Sequence, residues 1–277
     1  MTDGDLELRP GVRLIADRSY PAAYTLQMAG TDQSYVDLDD PTRLEFDYVQ
    51  RIADALDAHA PAGQRLRVVH VGGAGLTLPR YLAASRPQSA QIVLEPDAEL
   101  TEFVREHLPL PRRSGIKVRP VDGRAGIAEM RDDFADVVVV DAFTGAQVPS
   151  ELSTTTFFAD VHRVLAADGT VMVNVTDRAP FGYLRRCVAG VREHFTDTLI
   201  SAEPATLKGR RFGNVLILGS KGRLASDLLV RKAASSAFPY RIVRGEHLDQ
   251  LVGSAAPFTE TDSSPSPEPP SGLGFFG

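Results

Sequence analysis

Apolar runs of strand length recur through the middle of the chain, each followed by a segment with helical spacing. From Arg65 the pattern predicts strand 66–71, helix 76–85, strand 90–94, helix 97–107, strand 116–121, helix 123–130 and strand 136–141. Apolar strands separated by helix-length segments describe a parallel sheet covered on both faces. Upstream, Leu44, Tyr48, Ile52 and Leu56 recur every four residues. Asp40-Pro41 pairs a capping acid with proline at a first turn, so a helix is predicted to begin there. Short β-type stretches at 12–16, 24–28 and 35–38, broken by Pro21, Gly30 and aspartates, predict a hairpin-like N-terminal arm. Downstream, Ser153 to Thr156 caps a helix ending near Gly169, and 170–175 is the fifth strand. Runs 197–201 and 214–218 form an antiparallel hairpin that finishes the sheet, and 224–235 and 241–251 close the domain.

The expected architecture is therefore α/β and Rossmann-like: a mostly parallel seven-stranded sheet with a C-terminal antiparallel hairpin and a small N-terminal β arm. Three segments follow: the arm at 1–40, a Rossmann-like domain at 41–252, and a tail at 253–277. The tail has five prolines, five serines and almost no aliphatic residues, so burial cannot offset its ordering entropy and disorder is expected. Its end, Leu273-Gly-Phe-Phe276, reads either as a short docking peptide or as a hydrophobic end without function.

Chemistry gathers at the carboxyl ends of the predicted strands, where open α/β sheets bind their ligands. Gly72, Gly73 and Gly75 follow the first strand, Glu95 and Asp97 the second, Asp122 and Gly123 the third, and Asp141 the fourth. Glycines there let the backbone turn sharply and approach a ligand, with the amides of the next helix pointing at it. An acid about 20 residues further on accepts both hydroxyls of a ribose, the place of Glu95. Asp122 is positioned to accept from an exocyclic amine such as that of adenine, and Asp141 faces whatever the nucleoside carries. A dinucleotide fingerprint needs a third glycine where this chain has Leu78, which favours an adenosyl sulfonium over NAD. The glycines alone fit a bare strand-to-helix turn equally well.

Composition narrows the classes. The chain of 277 residues is 43% hydrophobic and 24% charged, ordinary for a chain with a sizeable core. No run of about 18 apolar residues occurs and the N-terminus lacks a signal pattern, so a cytoplasmic protein with no membrane partner is expected. The single cysteine, Cys187, excludes an intrachain disulfide and reads as a buried structural thiol. The six histidines show no ligand spacing; His70, inside a strand, reads as a packing residue, and no metal is expected. Of the net charge of −6, Glu260, Asp262 and Glu268 supply half from a tail without Lys or Arg. The body is close to neutral, which argues against nucleic acid as a partner. Lys208-Gly-Arg210-Arg211 reads as a solvated hairpin loop.

From about Gln33 to Ser220 these residues resemble the spermidine synthase-like branch of the class I S-adenosylmethionine-dependent methyltransferase fold. In polyamine synthases the corresponding segments read G-G-G-D-G-G, V-E-I-D, G-D-G and D-S-x-D-P; here they are Gly72 to Thr77, Leu94 to Asp97, Val121 to Arg124 and Asp141 to Thr144. The resemblance implies Glu95 on the ribose, Asp122 near the adenine, Asp141 as catalytic base and Gln33 near the cofactor. It also implies a small-molecule acceptor such as an amine, S-adenosylmethionine or its decarboxylated form as co-substrate, and a homodimer.

Three departures bear on the substrate. The glycine loop lacks the family's aspartate, the second aspartate of D-S-x-D falls on Thr144, and the Y-H-E triplet of the amine channel falls near Phe46-Asp47-Tyr48. A desolvated dication such as putrescine needs several carboxylates, and few remain. A loop carboxylate also disfavours the carboxyl-bearing cofactor, so its loss removes that bias. The expectation is a transferase that moves an aminopropyl or methyl group to a nucleophile not named by the sequence. The alternatives are a methyltransferase proper and a nucleoside-binding homologue without catalysis.

Overall fold

The computed structural model describes residues 4–270. Four antiparallel strands form the N-terminal sheet: β1 (Leu6–Arg9), β2 (Val12–Ala16), β3 (Ala23–Met28) and β4 (Thr31–Asp37), in that order. Helix α1 (Asp47–His59) leads into the main sheet, which alternates β5 (Arg67–Val71), α2 (Thr77–Ser85), β6 (Ala90–Leu94), α3 (Ala98–His107), β7 (Ile116–Arg119), α4 (Gly123–Ala128) and β8 (Ala135–Val140). Then follow α5 (Thr155–Val164), β9 (Leu165–Asp177), α6 (Gly182–His194), β10 (Asp197–Ala202), α7 (Pro204–Leu207) and β11 (Gly213–Ser220). The last elements are α8 (Ser226–Ser235), β12 (Arg241–Val243) and α9 (Glu246–Val252).

The main sheet runs β12-β10-β11-β9-β8-β5-β6-β7. Strands β7, β6, β5, β8 and β9 are parallel, and β11, β10 and β12 join antiparallel. The α/β class is as expected, with eight strands where seven were predicted. The extra strand is β12, and it and β1, three and four residues long, are too short for a periodic signal.

Each central strand is buried on both faces, which is why it reads as a continuous apolar run. On one face, Tyr48, Ile52 and Leu56 of α1 pack on Val68, Val137, Val139 and Leu216. On the other, Phe157, Phe158 and Val161 of α5 with Leu184 and Val188 of α6 pack on Val69, Val138, Val140 and Val173. The N-terminal sheet has its own cluster, Leu14, Leu26 and Val36 against Leu100, Phe103 and Val104 of α3.

Two expectations are corrected. Asp40 does not cap α1, which begins at Asp47 after Phe46. Instead Asp40 accepts from the Thr42 amide at 3.1 Å and hydroxyl at 2.6 Å, while buried Asp37 accepts from the Asp39 and Asp40 amides and Arg43 Nε. These local side-chain bonds hold a turn where the helix would otherwise begin. The second concerns the tail. Residues 253–270 lie against the body: Phe258 and Ser266 are buried, and Thr154 and Phe258 form a parallel bridge. One aromatic ring and specific polar bonds do what a count of aliphatic residues did not register. The Leu273 to Phe276 segment lies outside the described residues. Among the described residues no helix is long and apolar enough to cross a membrane.

Candidate functional site

Strand register assembles the site. Val71 pairs with Leu94 on one side and Val140 on the other, so the next residues, Gly72, Glu95 and Asp141, emerge side by side. Chain order reverses between β5 and β8, which opens a crevice at the carboxyl edge. A cavity of about 330 Å³ fills it, lined among others by Gln33, Gly72, Gly73, Glu95, Asp97, Asp122, Gly123 and Asp141. Gly75 does not line it.

Gly72 has φ +92°, and a Cβ there would stand 2.3 Å from the Asp141 carbonyl oxygen. That close approach, with the Gly72 amide donating to Leu94 O at 3.0 Å and the Asp141 amide to Val71 O at 2.9 Å, brings the loops after β5 and β8 together. Ala74 and Leu76 follow at φ +41° and +63°, a tight turn into α2 that Leu76 N closes on Gly73 O at 2.7 Å. Non-glycine residues in the left-handed region store strain, a feature that clusters at ligand sites.

Glu95 is half-buried at the tip of β6. Its Oε2 accepts from the Gly73 and Ala74 amides at 3.0 and 3.2 Å, and its Oε1 from the Asp97 amide at 3.1 Å. The carboxylate therefore organises the glycine loop as well as facing the cavity. Asp97 caps α3 through the Leu100 amide at 2.9 Å and is paired with Arg9, which holds its carboxyl below the usual range. Asp122 is exposed at the rim and caps α4 through the Ala125 amide at 3.1 Å. Gly123 packs on Val71, its missing side chain letting α4 start close to β5.

Asp141 is half-buried at the end of β8. Asn174 Nδ2 donates to its Oδ1 at 2.9 Å. Burial pushes its pKa up to about 6, and the Asn174 bond opposes that rise. Tyr48 lines the same cavity as a buried neutral phenol, its pKa pushed far up by burial and by the charge of Asp141. His70 sits behind the glycine loop, bonded to Gln91 Oε1 at 2.9 Å, and burial lowers its pKa to about 4. It is buried within the sheet, as the sequence suggested, and it also lines the cavity. Cys187 is buried and its thiol pKa is raised by burial.

The N-terminal arm completes one wall. Gln33 is the extra residue where the β3–β4 register shifts, between pairs Leu26–Ser34 and Gln27–Asp32. Such bulges re-aim a side chain, here at the cavity. Buried Ser34 accepts from the Gly75 amide at 3.0 Å, and Thr77 donates to Tyr35 O at 2.9 Å. Sequence reasoning missed Ser34, Asn174 and Glu151, the last being another acid on the cavity wall. Asn174 carried a signal, a lone amide inside the apolar run 170–175; Ser34 and Glu151 carried none.

The wall holds Glu95, Asp97, Asp122, Asp141 and Glu151 and no Lys or Arg. Among the described residues no three His, Cys, Asp or Glu side chains gather as a metal site.

No protein-family model matches the sequence. A probable polyamine aminopropyl transferase of Bifidobacterium longum is 31% identical over 121 residues, which is 44% of this chain and 26% of that protein. The chain thus spans about a quarter of the length of this curated relative. Human methyltransferase-like protein 13, solved with SAH, superposes with TM-score 0.55 at 18% identity over 78% of this chain and 96% of its own, which establishes a shared fold. A probable spermidine synthase from Corynebacterium glutamicum superposes with TM-score 0.84 at 30% identity, over 90% of this chain and 92% of that one. With likeness in sequence and fold across nine-tenths of both molecules, this chain belongs to the spermidine synthase-like family, built on a methyltransferase-like fold.

Proposed function

We propose that the cavity binds an S-adenosyl nucleoside and that the chain transfers its aminopropyl group to an amine, with Asp141 as base. The observation that carries this reading is the charge of the wall: five carboxylates and no cationic side chain. Such a wall attracts a sulfonium and an ammonium and offers a carboxylate no cationic partner, so it favours the decarboxylated nucleoside. The volume of about 330 Å³ is at the lower end of the roughly 300–1,000 Å³ that holds drug-sized ligands.

In this reading Glu95 accepts from the ribose hydroxyls through lone pairs the loop amides leave free, Asp122 lies toward the adenine, and Gly72, Gly73 and Gly123 let backbone approach the ligand. Gln33 faces it from the arm. Asp97 contributes by holding α3 and Arg9, and Gly75 by seating the loop on Ser34. Asp141 takes a proton from the acceptor's ammonium. The freed lone pair then forms the N–C bond as the C–S bond breaks, its electrons staying on sulfur as a neutral thioether. Positioning and base catalysis are the protein's contributions, since the sulfonium supplies its own leaving group.

A second reading, methyl transfer from S-adenosylmethionine, has one observation in its favour. The fourth place of the glycine loop, where the polyamine synthase pattern carries its aspartate, is Gly75, and a Cβ there would meet Ser34 Cβ at 2.7 Å. An acid at that place would have to displace the Ser34 side chain.

Calorimetry with decarboxylated S-adenosylmethionine, S-adenosylmethionine and 5′-methylthioadenosine tests both readings. The proposal expects the decarboxylated form to bind about tenfold or more tightly than the carboxylated one. With an amine panel it expects 5′-methylthioadenosine as product; S-adenosylhomocysteine would instead mark methyl transfer. Binding of none of the three would overturn both.

A further inference from the structure

Residues 253–270 line no part of the cavity, yet they are bonded to α4, to the start of α5 and to the loop that follows Asp141. Three attachments can be followed. Glu260 Oε1 accepts from Arg124 Nη2 at 3.2 Å, next to Asp122 and Gly123, and from Thr154 Oγ1 at 3.0 Å. Phe258 O accepts from the Thr155 amide at 2.8 Å at the start of α5, while its ring packs on Tyr183, 5.2 Å between centroids, under the Arg186 guanidinium at 4.0 Å. Fully buried Ser266 makes the third.

Ser266 sits behind the loop that follows Asp141. That loop folds on itself as a tight hairpin: Thr144 N donates to Gln147 O at 2.9 Å, Gln147 N to Thr144 O at 3.3 Å, and Gly145 turns the tip at φ +65°. Its inner side presents Phe143, Thr144 and Gly145 to the cavity. Its outer side is held by Ser266: Val148 N donates to Ser266 Oγ at 2.9 Å, Ser266 N donates to Val148 O at 3.1 Å, and Gln147 Nε2 donates to Ser266 O. The Ser266 hydroxyl also lies 3.1 Å from Thr176 Oγ1 on β9, two residues beyond Asn174, which holds Asp141. One buried serine thus ties the hairpin to the strand that orients Asp141.

We propose that Ser266 is a positioning residue for the acceptor: by fixing the 143–147 hairpin relative to Asp141, it sets the space in which the nucleophile is held. This rests on the transferase reading of the cavity. The nucleoside side, with the glycine loop, Glu95 and Ser34, is held by bonds that do not involve Ser266. Ser266 therefore governs acceptor binding and leaves nucleoside binding alone. Ser266 joins the loop through one side-chain bond and two backbone bonds, and losing the side-chain bond leaves the buried Val148 amide unsatisfied.

The test uses the full chain as wild type, Ser266→Ala and Gln147→Ala; the second removes a bond to Ser266 from a side chain outside the cavity lining. Amide hydrogen exchange over 142–149 is expected to quicken about tenfold in Ser266→Ala and about threefold in Gln147→Ala, with exchange in β6 unchanged. The Kd for 5′-methylthioadenosine is expected to stay within about twofold, while KM for putrescine, measured with decarboxylated S-adenosylmethionine, rises about fivefold at nearly constant kcat. Unchanged exchange over 142–149 in both variants overturns the proposal, as does equal loss of protection in β6, which would make Ser266 a general structural residue. If 5′-methylthioadenosine binds none of the three proteins, the transferase reading fails, and the exchange data still decide separately whether Ser266 holds the hairpin.

Discussion

Asn174 donates its side-chain amide to Asp141 at 2.9 Å from the neighbouring parallel strand, because Val173 pairs with Val140 and the two polar residues follow at the same level. The bond orients the carboxylate and favours its ionised form, while burial raises its pKa to about 6. A base with that pKa is mostly ionised at neutral pH yet able to hold a proton, the condition that suits general-base catalysis.

For Asp141, turnover is expected to fall about tenfold per pH unit below pH ~6, as the base becomes protonated. Asp141→Asn is expected to abolish turnover and keep the 5′-methylthioadenosine Kd within about twofold. Asn174→Ala, which withdraws a bond from the charged form, is expected to move the acid limb to higher pH. A pH–rate profile of the three proteins decides; an acid limb unmoved in Asn174→Ala would separate Asn174 from the titration.

Asp141 and His70 make opposite demands on stability. The Asp141 carboxyl is raised from 3.8 to about 6, so the native state holds a proton that the unfolded chain releases, and stability falls as pH rises across that window. His70 is lowered from 6.5 to about 4, so the unfolded chain takes up a proton that the native state refuses, and stability falls as pH drops across that window. Each slope is at most about 1.4 kcal/mol per pH unit. Relative to wild type, Asp141→Asn is expected to gain about 2 kcal/mol as pH rises from about 4 to 6. His70→Gln is expected to gain a similar amount as pH falls from about 6.5 to 4. Urea denaturation across this range measures both, and variant curves parallel to wild type would refute the assignment.

Glu95 joins the β6 tip to two loop amides and the Asp97 amide. Glu95→Ala is expected to weaken 5′-methylthioadenosine binding by about 1–3 kcal/mol, since charged-acceptor bonds are lost and the loop loosens. Calorimetry on the purified variant checks it. Equal affinity would place the ribose elsewhere.

Gly72 tolerates no side chain. Its φ of +92° and a Cβ position 2.3 Å from Asp141 O mean that Gly72→Ala must move the loop after β8. A loss of about 2–4 kcal/mol in unfolding free energy is expected from the combined strain and clash. Chemical denaturation would reveal it. Gly75→Ala, facing the Ser34 side chain, is expected to cost less, because a side chain can shift where backbone cannot.

Much of this was legible in the residues alone. The apolar runs ending in Val71, Leu94 and Val140 announced buried parallel strands, because a strand covered on both faces must be apolar throughout. The glycines and acids that follow them marked the carboxyl edge where the cavity opens, since such residues turn a backbone tightly and leave polar groups at the end of a strand. Burial of His70 and Cys187 followed from their places within apolar periodicity. These are local consequences of backbone geometry and solvent exclusion, and neighbouring residues suffice to impose them.

Contacts between distant segments were a different matter. That Ser34 seats the glycine loop, that Asn174 holds Asp141, and that Ser266 reaches back to Val148 depend on strand register and on where a tail comes to rest. The Asp40 turn won over a helix cap because Asp37 and Arg43 converge there, and the tail packed because one ring at Phe258 found Tyr183 and Arg186. A hydrogen bond or a ring contact is satisfied by whichever partner the fold delivers, so residue pattern alone names the strands and the edge where the cavity lies. The partners that set the depth, charge and walls of the cavity are chosen only once the chain has closed on itself.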